Sequence, residues 1–599
     1  MSSLILVLIF IFFLGLSLRI NFPAVQQNFL MADEAVYYSM TQSLANDFDL
    51  QYTKRDLIRY YEDIDSGPLG IFLKKGKEGN IYFAKSFAYP LFVAPLYKII
   101  GKNSFFVFHS FLLLLLLLMG YSYISLWNRS SLSMLVILTF LFGSTAIVYF
   151  IWTSPDFFNL TLAFSILYLW LYKLKAAEAE SLEQVSRWKK FLLSDKSDIL
   201  ACALAGLAVY AKPTNIVLLA PILLFSISQK KWIKAISLLG IFFIVSGIFW
   251  GANALATGEW NYQGGERKIF HNSYPFEKEG LTFDNLGQTM TSEGYVEKHL
   301  LPPRIVLWNL FYYFAGRYSG VIWYFFPAFL ALFVFLFEKK KLYQWLLLGA
   351  LAAEILIFIT VMPDNFAGGG GALSNRYFIP IYPFFFFLNG TKKKYSDISL
   401  SWIFVVVFIG QILMSPLYHS RFPDTHVKRF PFTLFPPELT LINNLPTNTN
   451  PAAKAVKVGT QEFPGYIYHL DDHFFPKPKE YQLQPGQTLE NGIWTLGAKK
   501  AEMILRVDSP IEEIKFHITN NPRMSNTIYV YLGGKKKDIT LKRNERGTIS
   551  FKPGKGFKMR DMFLFRISIR SKKGSIPYYE FEESKDRRHL GIYFELEMK

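Results

Sequence analysis

The sequence has little cysteine and little charge. Its single cysteine, Cys202, excludes an intramolecular disulfide, so any part outside the cytoplasm must fold on its hydrophobic core alone. Charged residues make up 18% of the 599 positions, whereas hydrophobic residues make up 51%. Apolar runs such as 105–119, 132–152 and 345–362 approach the roughly 20 residues that a spanning helix needs. The composition therefore predicts a mainly α-helical, polytopic membrane protein.

The basic residues indicate how the chain is oriented in the membrane. The formal net charge is +18, and Lys and Arg concentrate in four short segments, which are 173–196, 229–234, 338–341 and 392–394. Because basic loops face the cytoplasm, the excess needs no nucleic-acid partner, and we predict none. The first apolar run, Leu4–Leu18, lacks the basic start and the cleavage motif of a signal peptide, so we expect a retained anchor.

Placing the four basic segments inside predicts about eleven spans with the N-terminus inside. The segments then predicted to lie outside are 21–104, 152–155, 257–304, 363–375 and everything after about 417. Two places lack room for a regular span. Between Lys196 and Lys230 we predict two short helices, Ile199–Tyr210 and Asn215–Ser228, because Pro213 breaks the run between them. We also predict that 305–314 is an interfacial or re-entrant piece.

Composition divides the chain into three parts. Residues 1–416 form the predicted transmembrane domain, whose first outer loop, 21–104, mixes charged and apolar runs as interfacial amphipathic helices do. Residues 417–485 are proline-rich and predict a linker with a small mixed segment. Residues 486–599 contain short runs with apolar and polar residues in alternation, which predicts an antiparallel β-sandwich outside the membrane.

Three acids lie in predicted outer segments. Asp33 and Glu34 follow the first apolar run and open a stretch with helical periodicity, and Asp156 ends Ser154-Pro-Asp156 before another apolar run. Carboxylates just outside the bilayer can serve as acid or base catalysts on a lipid-linked substrate. The alternative is that all three are ordinary helix-start residues, since acids favour the N-terminal end of the helix dipole.

Four cations also lie where the positive-inside rule does not require them: Lys85, Lys212, Arg317 and Arg376. Converging cations suit a phosphate group, which needs charge-assisted donors. Arg376 follows the glycine run 368–371, and Asn375 beside it offers an amide donor. The alternative is that these cations are interface residues or partners of buried acids.

These motifs, taken in order, resemble the GT-C superfamily of integral membrane glycosyltransferases. The resemblance covers about residues 1–416. It rests on the acid pair, Lys85-Ser-Phe-Ala-Tyr-Pro90, Ser154-Pro-Asp156, Lys212-Pro-Thr-Asn215, Gly316-Arg317 and Gly371-Ala-Leu-Ser-Asn-Arg-Tyr-Phe378. The nearest branch is the bacterial relatives of protein O-mannosyltransferases and of the lipid A aminoarabinose transferase. The C-terminal part looks like the jelly-roll modules that accompany some membrane sugar transferases.

The resemblance implies a GT-C-like fold in the bacterial cytoplasmic membrane, with the C-terminal domain in the periplasm. It implies transfer of a sugar from a polyprenyl-phosphate donor to a hydroxyl of a lipid, glycan or protein acceptor. The enzyme would also contact membrane lipids. Asp33 would be the general base, with Glu34 second for that role, and Asp156 a second outer-face acid. The donor phosphate would be bound by Lys85, Lys212, Arg317, Asn375, Arg376 and Tyr377.

The resemblance leaves the cofactor and the function class open. Some members of the superfamily use a metal, and Asp33, Glu34 and Asp156 could hold a divalent cation, although scattered carboxylates are a weak signal. A transporter or flippase of lipid-linked sugars would also need broken helices and phosphate-binding cations, but it needs no general base. An O-antigen polymerase or ligase would carry its main catalytic groups in a late outer loop, whereas the acids here come first.

Overall fold

The computed structural model describes residues 2–178, 187–289, 301–388, 393–445, 456–459, 464–475, 492–520, 525–582 and 584–599. It divides into two compact units. The first unit comprises residues 1–294, 320–361 and 374–421, and the second comprises 295–319, 362–373 and 422–599. The first unit ends close to the predicted boundary at 416, but the second unit also takes two segments out of the predicted transmembrane domain.

The first unit is mostly helical. Its α-helices are Ser2–Arg19, Phe22–Val25, Asp33–Asn46, Lys54–Asp63, Ala88–Ile100, Ser104–Ile124, Ser130–Phe142, Asp156–Glu178, Arg187–Leu193, Lys196–Ala211, Leu219–Ser228, Trp232–Thr257, Val321–Tyr324, Phe326–Phe337, Leu342–Val361, Tyr382–Leu388, Tyr395–Met414 and Pro416–Arg421. Short 3-10 helices interrupt this series at Lys77–Gly79, Gly101–Asn103, Thr145–Ile151, Pro213–Leu218 and Arg376–Ile381.

Within the described ranges, five helical segments are long and apolar enough to cross a membrane: Ala88–Ile124, Asp156–Glu178, Trp232–Thr257, Leu342–Val361 and Tyr395–Met414. A sixth is added if Ser130–Phe142 and Thr145–Ile151, which meet at 68°, form one broken span. Four more apolar helices are shorter: Leu4–Arg19, Pro213–Ser228, Phe326–Phe337 and Arg376–Leu388. The prediction of several apolar spans is confirmed by length and composition, whereas the count of about eleven is not.

Burial separates the central helix from the peripheral ones. The most apolar stretch of helix Asp156–Glu178 is 89% buried, whereas those of Trp232–Thr257 and Tyr395–Met414 are only 22% buried. A peripheral apolar helix can stay exposed only where its surroundings are apolar too, as in a bilayer. The helix that begins at Asp156 therefore lies in the interior of the first unit.

The predicted break near Lys212 is present. Helix Lys196–Ala211 ends there, and a 3-10 turn, Pro213–Leu218, leads into helix Leu219–Ser228. Lys212 is extended, with φ −153° and ψ 113°, because the proline ring that follows excludes the helical conformation at this position.

The segment 21–104, which is predicted to be the first outer loop, contains strands as well as helices. Strands β1 (Ile71–Lys75) and β2 (Ile81–Phe83) pair with β3 (Arg267–Phe270) and β4 (Gln288–Thr289) in the antiparallel order β2-β1-β3-β4. Paired strands cannot lie on opposite sides of a membrane. The strand-bearing parts of the two segments predicted to lie outside, 71–83 and 267–289, therefore share one side.

The second unit contains two antiparallel sheets. Its strands are β5 (Val456–Gly459), β6 (Pro464–His469), β7 (Phe474–Phe475), β8 (Ile493–Leu496), β9 (Lys500–Val507), β10 (Ile514–Thr519), β11 (Asn526–Leu532), β12 (Lys535–Leu541), β13 (Arg546–Phe551), β14 (Phe557–Met559), β15 (Met562–Ser571) and β16 (Leu590–Met598). One sheet has the order β13-β10-β16-β8-β7 and the other β12-β11-β15-β9-β6-β5, with β14 beside β15. This unit also contains α-helices Pro303–Ala315 and Pro577–Glu580 and the short 3-10 helices His426–Lys428, Phe432–Leu434 and Leu439–Asn444.

A hydrophobic core joins the two sheets. Met503 and Ile567 from one sheet and Phe516 and Ile592 from the other belong to one buried cluster, as the inner faces of a β-sandwich require. The sandwich begins earlier than the predicted residue 486, because β5, β6 and β7 lie within the segment predicted as a linker. Helix Pro303–Ala315 matches the predicted irregular piece at 305–314, but its depth in a membrane remains a prediction.

Candidate active site

Two acids of the first unit meet at one arginine. Arg376 Nη2 lies 2.7 Å from Asp33 Oδ2, and Arg376 Nε lies 2.7 Å from Asp156 Oδ2. The three side chains are 7–19% exposed, so solvent screens these contacts weakly. Residues separated by more than 200 positions thus form a single largely buried ionic group.

Lys85 completes this group. Its Nζ lies 2.6 Å from Asp33 Oδ1, so each oxygen of that carboxylate contacts a different cation. Burial opposes ionisation of Asp33, but the charges of Lys85 and Arg376 outweigh it and hold the Asp33 pKa well below its usual range. Burial lowers the pKa of Lys85, and Asp33 counteracts part of that effect. We call Asp33, Lys85, Asp156 and Arg376 the ionic cluster.

Local backbone structure sets the directions of these side chains. Asp33 and Asp156 are the first residues of their helices, where partly positive N–H groups favour carboxylates. Ser154 donates its hydroxyl to Asp156 Oδ2 at 2.6 Å. Asn375 caps the 3-10 turn that starts at Arg376 by accepting the Phe378 N–H. The helix-start interpretation of the acids is therefore correct as local structure, and it does not exclude a chemical role.

Glu34 has a different environment from Asp33. Its Oε2 lies 2.6 Å from Arg421 Nη1, and its Oε1 accepts the Thr153 N–H at 3.3 Å. This pair is 6–7% exposed, and it ties the start of helix Asp33–Asn46 to the last residue of the first unit. Glu34 is occupied by a structural ion pair, so it is a poorer candidate for a base than Asp33.

Arg267 is a further cation at this site that we did not predict. Its guanidinium carbon lies 4.8 Å from the centroid of the Phe72 ring, and Lys85 Nζ lies 4.7 Å from the same centroid. Asp33 is the acid that acts most strongly on it, and its buried Nε has no hydrogen-bond partner among the described residues. The available signal was a cation in a predicted outer loop, but the charged run around it is also typical of a solvated turn.

Lys212 lies beside the ionic cluster without joining it. Its Nζ is 4.5 Å from the centroid of Tyr377 and 5.1 Å from that of Phe358. The charged groups that act on it are Glu354 and, more weakly, three members of the ionic cluster. Its Nζ is buried and lacks a hydrogen-bond partner in the described part of the chain.

The remaining predicted donors have partial or no contact with the cluster. The side-chain nitrogen Nδ2 of Asn375 is buried, and the described residues offer it no hydrogen-bond partner. Tyr377 stacks on Phe358 with centroids 4.9 Å apart, and both rings face Lys212. Asn375 thus keeps a spare donor one residue from Arg376.

Arg317 must be separated from the other predicted cations. It belongs to the second unit, where it is 0% exposed, donates Nε to the Val427 carbonyl at 2.9 Å and lies 3.4 Å from Glu502 Oε2. The adjacent Gly316 is packed against Glu438, which leaves no room for a Cβ atom. The Gly316-Arg317 motif therefore serves the packing of the second unit, and we leave Arg317 out of the candidate site.

The predicted cation-binding role of the three acids does not fit this arrangement. Two of the acids share the Arg376 guanidinium and the third is bound by Arg421, so a metal ion would have to displace an arginine. No group of three or more His, Cys, Asp or Glu that could hold a metal occurs among the described residues. The cluster carries its own positive charge where a metal would otherwise provide it.

A cavity adjoins Lys212. It has a volume of about 520 Å³ and is lined by Pro213, Thr214, Trp250, Trp260, Asn261, Tyr262 and Gln263. Trp250 and Tyr262 stack with centroids 5.4 Å apart and planes 12° apart. Lys74 holds the loop in place, since its buried Nζ donates to the Asn261 carbonyl at 3.2 Å. Aromatic faces and side-chain amides dominate the wall.

Comparisons with known proteins add little beyond this geometry. A family model described as a domain of unknown function, DUF8201, matches residues 85–365, which is less than half of the chain. No curated protein matches. The cryo-EM structure of arabinosyltransferase EmbB from Mycobacterium smegmatis is similar at TM-score 0.31 and 9% identity, over 98% of this chain and 64% of that chain. This chain spans less than two thirds of that protein, and a TM-score of 0.31 does not establish a common fold. The function must be inferred from the site itself.

Proposed function

We propose that the protein is a membrane glycosyltransferase that moves a sugar from a polyprenyl-phosphate donor to an acceptor hydroxyl. The observation that carries this proposal is the ionic cluster, in which Asp33 contacts Lys85 and Arg376 beside Asp156. A phosphate-binding set of cations and a carboxylate base are the two parts that such a transfer requires. The cluster supplies both within hydrogen-bond distance of each other.

The donor phosphate binds at Lys85, Arg267 and Arg376 in this proposal. With Lys212 these are four cations, and they face three carboxylates, Asp33, Asp156 and Glu354, so the region has one net positive charge when all are ionised. Charge-assisted hydrogen bonds to an anion are worth about 1.5–3 kcal/mol each. An incoming phosphate would take over contacts of Lys85 and Arg376 that Asp33 holds without substrate.

Displacement from its cations prepares Asp33 to act as a base. A carboxylate held by two cations attracts a proton weakly, as the lowered pKa of Asp33 indicates. Once the phosphate draws the cations away, the free lone pairs of Asp33 can accept the proton of the acceptor hydroxyl. The acceptor oxygen then attacks the anomeric carbon, and the bond between that carbon and the phosphate oxygen breaks.

The products follow from this single displacement. Polyprenyl phosphate leaves with the bonding electron pair, Asp33 holds the proton, and the anomeric carbon is inverted. Asp156 does not contact the reacting atoms in this scheme. It orients the Arg376 guanidinium through the 2.7 Å contact to Nε, which is a positioning role.

The finer assignments belong to the same proposal. We place the reaction at the outer face of the bacterial cytoplasmic membrane, with the β-sandwich in the periplasm and a lipid, glycan or protein as acceptor. The positive-inside pattern supports the orientation. The ordered motifs that resemble GT-C enzymes support the polyprenyl-phosphate donor.

The substitution Asp33→Asn tests the proposal. The amide keeps the shape of the side chain but cannot accept the proton, so sugar transfer by the purified full-length protein should fall by at least about 100-fold. Affinity for the donor should stay the same or rise, because the amide competes less strongly for Lys85 and Arg376. Transfer is measured with radiolabelled polyprenyl-phosphate mannose, glucose and arabinose on a membrane-lipid extract.

A matched control is Asp284→Asn, which removes an exposed carboxylate paired with Lys75 in the same unit and should leave transfer unchanged. Transfer by Asp33→Asn within a few fold of the unmodified protein would exclude Asp33 as the base. If none of the donors is consumed but labelled donor crosses a vesicle membrane, the protein is a flippase instead.

A further inference from the structure

Three neighbouring polar side chains of the first unit have no use in the scheme above. Lys212 Nζ, Thr214 Oγ1 and both carboxylate oxygens of Glu354 are buried, and none makes a hydrogen bond of normal geometry among the described residues, although Thr214 is close enough to act on the Glu354 carboxyl group. Leaving one buried polar group unpaired costs about 1–3 kcal/mol, and more for a charged one. Four such atoms in one place indicate that a ligand or water normally completes them.

The three side chains lie on two elements that pack together. The 3-10 turn Pro213–Leu218 contacts helix Leu342–Val361, and Thr214 is a polar neighbour of Glu354. Lys212 covers the ring of Phe358, which is one helical turn from Glu354. Glu354 is the acid that acts most strongly on Lys212, yet the two do not form a direct ion pair. We call Lys212, Thr214 and Glu354 the polar triad.

The triad borders the aromatic cavity. Pro213 and Thr214 line the 520 Å³ space together with Trp250, Trp260 and Tyr262. This volume is within the range of about 300–1,000 Å³ that small-molecule sites occupy. Asn261 and Gln263 add side-chain amides that can donate and accept hydrogen bonds.

The chemistry of the triad restricts the occupant. A carboxylate only accepts hydrogen bonds, an ammonium group only donates them, and a hydroxyl does both. An ionised Glu354 would repel a phosphate, and an isoprenoid chain would leave every triad atom unpaired. A sugar ring meets all the requirements, because its hydroxyls donate to the carboxylate and accept from the lysine while its C–H face packs on an aromatic ring.

We propose that the polar triad and the adjoining cavity form a sugar-binding subsite, in which Glu354 accepts hydrogen bonds from sugar hydroxyls. This inference rests on the proposed function, since it places a sugar next to the phosphate-binding cations. It assigns Lys212 to the sugar and leaves the phosphate to Lys85, Arg267 and Arg376. The sugar is that of the donor or that of a glycan acceptor, and the experiment separates these two sources.

The experiment measures binding to the full-length protein in detergent, with tryptophan fluorescence as the signal because two tryptophans line the cavity. The probes are decaprenyl phosphate, decaprenyl-phosphate mannose, glucose and arabinose, and the corresponding methyl glycosides. The variants are Glu354→Gln and Thr214→Val. The control is Thr360→Val, which removes a half-buried hydroxyl on the same helix as Glu354 that donates to the carbonyls of Leu356 and Ile357.

For the preferred sugar, Glu354→Gln should weaken binding of the sugar-bearing donor by about 10- to 100-fold and Thr214→Val by about 5-fold. Binding of bare decaprenyl phosphate should change less than about twofold in both variants. The variants could instead weaken binding of the methyl glycosides alone, and still do so when the decaprenyl-phosphate sugars are saturating. That result would assign the subsite to the acceptor glycan.

Equal weakening with and without the sugar would overturn the inference and make Glu354 a charge partner of Lys212. Unchanged affinities throughout would overturn it as well, and water would then complete the triad. If bare decaprenyl phosphate does not bind the unmodified protein, the proposed function fails, and the methyl glycosides still test the subsite. Should Glu354→Gln fail to fold because Lys212 loses its acid, Lys212→Gln/Glu354→Gln removes both charges and the same comparison applies.

Discussion

Removal of Arg376 is the sharpest perturbation of the ionic cluster. The substitution Arg376→Ala deletes two charge-assisted contacts of 2.7 Å, one to Asp33 and one to Asp156. Asp33 keeps Lys85 as a counter-charge, but among the described residues Asp156 keeps only the Ser154 hydroxyl as a direct partner. An acid with so little compensation in a buried site is the main source of the expected loss.

The magnitude follows from the two lost contacts. Breaking a buried ion pair by removal of one partner costs about 3–5 kcal/mol, and Lys85 limits the contribution of Asp33. We therefore expect Arg376→Ala to lower the free energy of unfolding by about 3–5 kcal/mol. Asp156→Asn, which keeps the shape and loses the charge, should cost about 1.5–3 kcal/mol.

A double-mutant cycle provides the measurement. Unfolding of the full-length protein in mixed micelles is titrated with denaturing detergent for both single variants and for Arg376→Ala/Asp156→Asn. The double variant should be more stable than the sum of the single losses predicts, by at least about 1 kcal/mol, because it no longer contains the isolated Asp156 charge. The matched control is Lys75→Ala, whose pair with Asp284 is 35–65% exposed and which should leave the free energy of unfolding nearly unchanged. Additivity within about 0.5 kcal/mol would refute the cluster as a coupled unit.

Three further predictions concern pH, the second unit and topology. Lys85 and Arg376 depress the Asp33 pKa against the effect of burial, so kcat/KM should show no acid-side fall down to about pH 5. Burial lowers the pKa of Lys85, so loss of its proton should reduce kcat/KM at alkaline pH. A fall in kcat/KM on the acid side near pH 6.5 would indicate another base. Burial raises the pKa of Glu438 from 4.5 to about 7, so the native state loses stability as pH rises through that interval. The unfolding temperature should therefore be lower at pH 8 than at pH 5, and Glu438→Gln should remove that difference. The same difference in the variant would contradict this assignment. After replacement of the single cysteine, an impermeant thiol reagent should label Lys555→Cys in intact cells but not Ser396→Cys, and labelling of the latter would reverse the predicted orientation.

Local signals in the sequence predicted the parts of the site that depend on local structure. Proline after Lys212 gave the break in the helix hairpin, because the ring excludes a helical residue before it. The helix-start positions of Asp33 and Asp156 followed from their place before apolar runs. The interpretation of cations as partners of buried acids, left open as an alternative, describes Lys85 and Arg376 correctly.

Contacts between distant residues could not be predicted in this way. Glu34 pairs with Arg421, 387 positions away, and nothing in the local pattern distinguishes it from Asp33. Arg317 follows a glycine and looks like a ligand-binding cation, but Glu502 on a β-strand provides its counter-charge. Arg267 reaches the site only because β3 pairs with β1. In each case the partner is fixed by the fold and not by spacing along the chain.

The β-sandwich shows the same limit at its N-terminal edge. Alternating apolar residues predicted the long strands β9 and β15, although both are buried at most positions and β9 has five consecutive buried residues. Strands β5 and β6 are short and follow prolines and glycines, which favour a linker by composition. They become strands because β6 pairs with β9 over five residues, from Gly465 to His469.

The ionic cluster explains why an enzyme of the proposed kind would hold its base between two cations. Without substrate, buried Lys85 and Arg376 need counter-charges, and Asp33 supplies one to both. The donor phosphate has the same preference for these cations, so donor and base compete, and Asp33 becomes a proton acceptor only where a phosphate has replaced it. A site built in this way would deprotonate the acceptor hydroxyl only when the donor is present. The proposed sugar subsite extends this logic, because Lys212 and Glu354 lie where the sugar of a correctly bound donor would complete them.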